Sequence, residues 1–298
     1  MTKNSRAFYS VPYVLWLGLF VISPMLLILY QSFFDITGAF TFSNYANYFT
    51  SGNYLRMTLN SFLYAFIITL VTFLVSYPTA LFLSRTKHKQ LWLSLIILPT
   101  WINLLLKAYA FIGLFSQSGT VNQFLGFMGI SPQQILFTDF SFIFVAAYIE
   151  LPFMILPIFN SIEELKPSLI VASEDLGATR MQTLTRVIFP LTLSGVRSGF
   201  QAVFIPSLSL FMLTRLIGGN RVITLGTAVE QHFLVTQNWG MGSTIGVILI
   251  ISMIAIMSLT SDKKKKGRGS KCREQPTRSG TMPFLDSFLR FCICRSFI

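Results

Sequence analysis

Six stretches of this sequence are apolar over lengths that match a lipid bilayer, and no other feature constrains the fold as much. They are residues 11–34, roughly 60–83, 91–115, 141–160, 191–217 and 242–260. A hydrocarbon core about 30 Å thick takes roughly 20 helical residues at about 1.5 Å each. Inside lipid every backbone amide must find a partner, so helices are the only open choice for such runs. Charged residues make up only 11% of the chain, against about 25% in a soluble domain, too few to clothe a water-facing surface. The expected fold class is therefore an all-α membrane protein with six transmembrane helices. The first run is too long for a cleaved leader, contains Pro24 and lacks a small-residue cleavage site, so it counts as a span.

Lys and Arg in the connecting loops set the expected orientation. Lys3 and Arg6 precede the first span, and the second loop carries Arg85, Lys87 and Lys89. The fourth loop holds Lys166, Arg180 and Arg186, and Lys263–Lys266 follow the last span. The first loop has only Arg56 and the third has none, while the fifth has Arg221 with Arg215 at its edge. This pattern predicts a multi-pass protein of the cytoplasmic membrane with both termini and loops two and four in the cytoplasm. It divides the chain into a cytoplasmic margin (1–10), a membrane domain (11–260) and a basic, atypical or disordered tail (261–298). The tail holds ten of the 23 Lys and Arg, together with Cys272, Cys292 and Cys294. Such a concentration suits a margin beside anionic lipid rather than a nucleic-acid surface.

The fourth loop stands apart from the spans. Residues 161–190 read SIEELKPSLIVASEDLGATRMQTLTRVIFP. Pro167 favours a helix start, and Leu169, Ala172, Ser173 and Leu176 recur at helical spacing. Gly177 breaks this helix, and a second helical stretch over 179–189 has Met181, Leu184, Val187 and Ile188 on one side. Pro190 then opens the fifth span. The unit predicted is two short surface helices joined by a glycine elbow. Ala172 and Ser173 offer little apolar area for insertion, and Glu174 and Asp175 are repelled by anionic headgroups. A groove on a partner protein suits them better.

This loop resembles the EAA loop of ABC-importer permeases, whose pattern is Glu-Ala-Ala, three residues, Gly, nine residues, Ile-x-Leu-Pro. Ala172, Gly177, Val187 and Pro190 fall in register, whereas Val171, Ser173 and Phe189 depart from it. The stretches SYPTALFLSRTKHK, LPTWINLLLKAYAFIGLFSQSGTVNQFLG, LPFMILPIFNSIEELKPSL, DLGATRMQT, FPLT and LIGGN resemble the spermidine/putrescine branch of that family. The resemblance implies a type I ABC-importer permease fold. In that family the loop docks on a cytoplasmic ABC ATPase dimer, which makes Ala172, Ser173, Glu174, Asp175, Gly177 and Pro190 the expected coupling set. It further implies a second permease subunit and an external substrate-binding protein. ATP and magnesium would sit on the ATPase and no cofactor on this chain. Permeases for sulfate, thiamine, iron and phosphate share the loop, so those solutes remain alternatives. An ion-coupled carrier is a further one, though it would call for inverted repeats and several buried charges.

The chain carries no G-x-x-x-x-G-K-S/T, no H-E-x-x-H and no G-x-S-x-G, so neither ATP binding by a phosphate loop nor hydrolytic chemistry is expected of it. No catalytic or metal-ligating set is predicted. Ionisable residues within spans are costly and are functional or paired. Glu150 in the fourth span is a candidate carboxylate on a cation path, or a packing partner of Lys107 in the third. Trp101 and Asn103 follow Pro99, and an aromatic face can hold a cation. Pro152, Pro157 and Pro206 can kink the fourth and fifth spans. Pro206 with the Gly218–Gly219 turn marks 204–220 as gate material.

Overall fold

The computed structural model of the chain describes residues 11–219 and 221–260. The proposed N-terminal margin and the basic tail lie outside the described residues. The elements are α1 (Val11–Gln31), α2 (Ser43–Thr50), α3 (Gly52–Arg85) and α4 (Lys89–Trp101), then α5 (Leu104–Phe115), α6 (Thr120–Phe127) and α7 (Asp139–Glu163). Next come α8 (Pro167–Asp175), α9 (Arg180–Leu191), α10 (Leu193–Ser207) and α11 (Phe211–Ile217). The described chain ends with α12 (Leu225–Glu230), prolonged by a π turn over Gln231–Val235, and α13 (Trp239–Thr260).

Helices α1, α3, α7 and α13 are each long and apolar enough to cross a membrane. Two bent pairs raise the total to as many as six. In the first, Lys89–Trp101 meets Leu104–Phe127 at 93°. The sequence marks a third span over roughly 91–115 with a proline-broken turn at Pro99, and the structure turns the chain there. Pro99 sits in a 3-10 turn, Ile102 and Asn103 are extended, and the Asn103 side chain restarts the helix by accepting from the Leu105 amide at 2.8 Å. The fifth apolar stretch is likewise divided: α10 closes at Ser207, and α11 begins only at Phe211.

Polar contacts show which loops share an end. At one end, here the upper, Asn44 Nδ2 donates to the Phe34 carbonyl (2.9 Å), Tyr64 Oη to Asp139 (2.9 Å) and the Phe137 amide to the Ile217 carbonyl (3.1 Å). Leu225 N also donates to Ser61 Oγ (2.7 Å) there. At the lower end Lys89 pairs with Glu163. Helices α3 and α7 thus run parallel, joined through Tyr64–Asp139 above and Lys89–Glu163 below. Loops one, three and five gather at the upper end and loops two and four at the lower.

The core is α3, α7 and α10. Its seam on α3 is built of small polar residues, and Ser61, Thr69, Thr72 and Ser76 are all buried. Ser61, Thr69 and Thr72 return their hydroxyl protons to the carbonyl four residues back, so they are satisfied within the helix and let the neighbours approach. Helix α10 crosses α7 antiparallel through Gly195 and Gly199. A Cβ on Gly195 would meet Ser161 and the Pro157 carbonyl oxygen, and one on Gly199 would meet Met154. This is a G-x-x-x-G contact. By contrast 0% of the most apolar window of α1 is buried, against 61% for α7. Most of α1 is therefore left open by the described residues, although its second half, from Ser23 to Gln31, lies against α13.

Candidate functional site

The lower end carries the loop that the sequence singles out. Pro167 opens α8 at its first turn, where a missing N–H costs nothing. The helix closes in a Schellman turn: the Gly177 amide donates to the Glu174 carbonyl (2.9 Å) and the Ala178 amide to the Ser173 carbonyl (3.1 Å). Gly177 has φ +78°, and a Cβ there would meet nothing within 4 Å. Backbone conformation, not crowding, requires the glycine. Thr179 then caps α9 in a reciprocal box, its amide donating to Gln182 Oε1 (2.8 Å) and its hydroxyl accepting from the Gln182 amide (3.3 Å). The T-x-x-Q spacing could have revealed this cap from sequence.

Two faces result. Ser173 turns inward, buried against Thr183 with the hydroxyls 3.0 Å apart. Since the Ser173 hydroxyl donates to the Ile170 carbonyl (2.7 Å), Thr183 supplies the proton of the shared bond. Ala172, Glu174, Asp175 and Gly177 stay exposed, and Leu176 is 89% exposed. Leu176 thus forms an exposed apolar tip next to two acids, Glu174 and Asp175. Removing the rivet by Ser173→Ala should cost about 1 kcal/mol. Hydrogen exchange of the amides in 167–183 should then quicken about fivefold, and Thr183→Val should give a similar rise that does not add to it.

Pro190 is placed differently from expectation. It belongs to the last turn of α9 (Phe189–Leu191), behind a π turn over Leu184–Ile188. The Thr192 hydroxyl donates back to the Ile188 carbonyl (3.0 Å), and α10 departs at 64° from Leu193. The proline lies in the last turn of α9, before the bend, rather than at the start of α10.

The path candidates are dispersed. Trp101 is 84% exposed at the end of α4, and Asn103 is the cap across the break. Glu150 is buried on α7 at 5% exposure, and Lys107 on α5 is the opposite charge that acts on it. Among the described residues no hydrogen bond or ion pair within 4 Å reaches the Glu150 carboxylate. Pro206 lies one residue before the end of α10, and its carbonyl accepts from the Ser209 amide (3.0 Å) as the chain leaves the helix. No hydrogen bond or ion pair among the described residues joins these four. At the upper end Arg215 pairs with Glu230 (2.7 Å) beside a cavity of about 350 Å³ lined also by Met57, Val222 and Thr227. Sequence reasoning did not anticipate that pair, since its members lie 15 residues apart on separate helices.

No family model matches the chain. Relatives are clear nonetheless. The chain is 36% identical over 264 residues to the spermidine/putrescine transport system permease protein PotB of Salmonella typhimurium (strain SL1344), covering 84% of this chain and 92% of that protein. The chain belongs to the PotB permease family. The Escherichia coli K12 member is 36% identical over 248 residues, 80% of this chain and 90% of its own length. A PotB-family chain is a transport subunit, not an enzyme. The fold agrees with this. A subunit of a bacterial alginate ABC transporter, solved in complex with an alginate pentasaccharide-bound periplasmic protein, superimposes with a TM-score of 0.74 at 18% identity, covering 87% of this chain and 93% of that one. The PotB-type chain is thus a multi-pass, all-α ABC-importer permease.

Proposed function

We propose that this chain is one half of the membrane path of an ATP-driven polyamine importer. The observation that carries the proposal is the glycine-elbowed helix pair α8–α9 at one end of a PotB-type bundle. Its lower end faces the cytoplasm, in keeping with Arg85, Lys87, Lys89, Lys166, Arg180 and Arg186 on the loops there. Ala172, Glu174, Asp175 and Leu176 enter a groove on a cytoplasmic ABC ATPase dimer, which holds the ATP and magnesium. A second permease completes the path, and an external binding protein delivers spermidine or putrescine at the upper end. Closure of the ATPase pair drags α8, the elbow passes the movement to α9, and the spans rock between inward and outward opening.

Vesicles holding the assembled transporter with ATP inside test the reading. Spermidine should enter only with ATP and the binding protein present. Entry that follows an ion gradient without ATP refutes it. Glu150 is the proposed carboxylate along the path, because a buried acid without a direct partner is costly unless function requires it. Glu150→Gln keeps the volume and removes the charge. Loss of one charged contact should raise the half-saturating spermidine concentration at least tenfold. An unchanged value leaves Glu150 only a packing role beside Lys107.

A further inference from the structure

Two arginines at the lower end have no counter-charge among the described residues. Arg85 closes α3 and Arg180 opens α9, and both are exposed. The ion pairs among the described residues are Lys89–Glu163 and Arg215–Glu230, and neither includes them. They line one groove of about 470 Å³, whose other walls are Leu81, Phe82, Met181 and Leu184. Among the described residues no acid lines this groove. Phe82 is 66% exposed and Met181 68%.

This lining is contradictory for a simple ligand. A free inorganic anion gains nothing from Phe82 and Met181, and a hydrocarbon gains nothing from two guanidinium groups. A phosphate diester attached to acyl chains satisfies both. Guanidinium forks match phosphate oxygens, and basic pockets between membrane helices take anionic headgroups. The depth is right as well. Arg85 is the last residue of a 34-residue span, so the groove lies where the apolar run gives way to charge.

We propose that the groove between the end of α3 and the start of α9 is a binding site for one anionic phospholipid. Its phosphate lies between Arg85 and Arg180, and an acyl chain runs along Phe82 and Met181. One wall of the site is α9, so a bound lipid ties the elbow helix to α3 and steadies it during coupling. That consequence rests on the coupling role proposed above, whereas the binding does not.

Native mass spectrometry of the whole transporter, supplied with phosphatidylglycerol or phosphatidylcholine, tests the binding. The wild type should retain phosphatidylglycerol in preference. Arg85→Gln and Arg180→Gln keep the stems and remove the charge, so folding is spared. Each should lower retention about fivefold, the change that ~1 kcal/mol per cation at a membrane surface represents. Lys87→Gln, a charge-matched control in the neighbouring loop, should not lower it. A cysteine-reactive lipid probe should also label Met181→Cys in a complex whose Cys272, Cys292 and Cys294 are replaced by serine, at a site absent when Met181 is kept. Equal retention of phosphatidylcholine, or unchanged retention in both arginine variants, overturns the site. So does displacement of the lipid by millimolar inorganic phosphate, which marks a free-anion site. Crosslinking of Met181→Cys to the ATPase in place of the probe overturns it too, because a protein then covers the groove.

Discussion

Replacing Gly177 with valine is expected to abolish ATP-driven uptake while leaving the membrane body folded. At φ +78° an L-residue is strained by roughly 1–2 kcal/mol, and a β-branched one by more. Nothing within 4 Å would touch the added Cβ, so the penalty acts on the backbone and not on packing. The chain can relieve it only by leaving the left-handed region. That breaks the two Schellman bonds from Gly177 and Ala178 and swings α8 away from the Thr179 cap. The spans do not depend on this turn, so expression and membrane insertion should persist. Uptake in vesicles should fall at least tenfold, and the ATPase should co-purify poorly. Asparagine tolerates the left-handed conformation, so Gly177→Asn should retain uptake within about threefold of the wild type. Valine and asparagine giving equal uptake would show that the elbow's conformation does not matter to coupling.

Hydropathy made the number of apolar runs legible, because lipid imposes length and composition together. It could not show how far a run changes direction. Pro99 marks a broken turn in the stretch from Leu91 to Phe115, but only the structure shows that the chain turns by 93° there and that the Asn103 side chain restarts the helix. The boundary between α9 and α10 was hidden in the same way. Phe189 to Leu193 is apolar on both sides of Thr192, and only the 64° bend separates α9 from α10. Gly177 was legible because a glycine after a helical run has one common use. Ser173 was legible as part of the loop but not in its direction. Helical spacing puts it beside Ala172 on one stripe, and only the return of α9 brings Thr183 over it. Loop charge predicted which loops share an end, and the upper and lower contacts gather them in the same way.

The G-x-x-x-G crossing of α10 on α7 is hidden in the sequence, because only packing shows which glycines meet a neighbouring helix, and it carries the second large effect. Gly195→Ala should be far more damaging than Gly199→Ala. At Gly195 the new carbon meets the Pro157 carbonyl oxygen and Ser161, and a backbone oxygen inside a buried helix cannot step aside. At Gly199 it meets first the sulfur of Met154, the far end of a flexible side chain. Overpacking of this kind costs about 1–3 kcal/mol, with Gly195→Ala at the upper limit and Gly199→Ala at the lower. Recovery of monodisperse transporter after mild heating measures the difference. The pattern of non-additivity is sharper still. Met154 is fully buried, so Met154→Ala is itself destabilising, but adding Gly199→Ala to it should cost little more, while adding Gly195→Ala should cost its full amount. Ser161→Gly should reduce the added cost of Gly195→Ala only in part, since the Pro157 oxygen remains. The same seam bears on transport. Helix α10 continues α9 through Thr192, so movement at the elbow reaches the core only if α10 stays pressed on α7. Gly199→Ala protein that folds should therefore still bind the ATPase but import more slowly, separating docking from transmission. If every folded seam variant imports at the wild-type rate, the movement travels by another route, and the Tyr77–Thr192 bond (3.2 Å) between α3 and the start of α10 becomes the next link to cut.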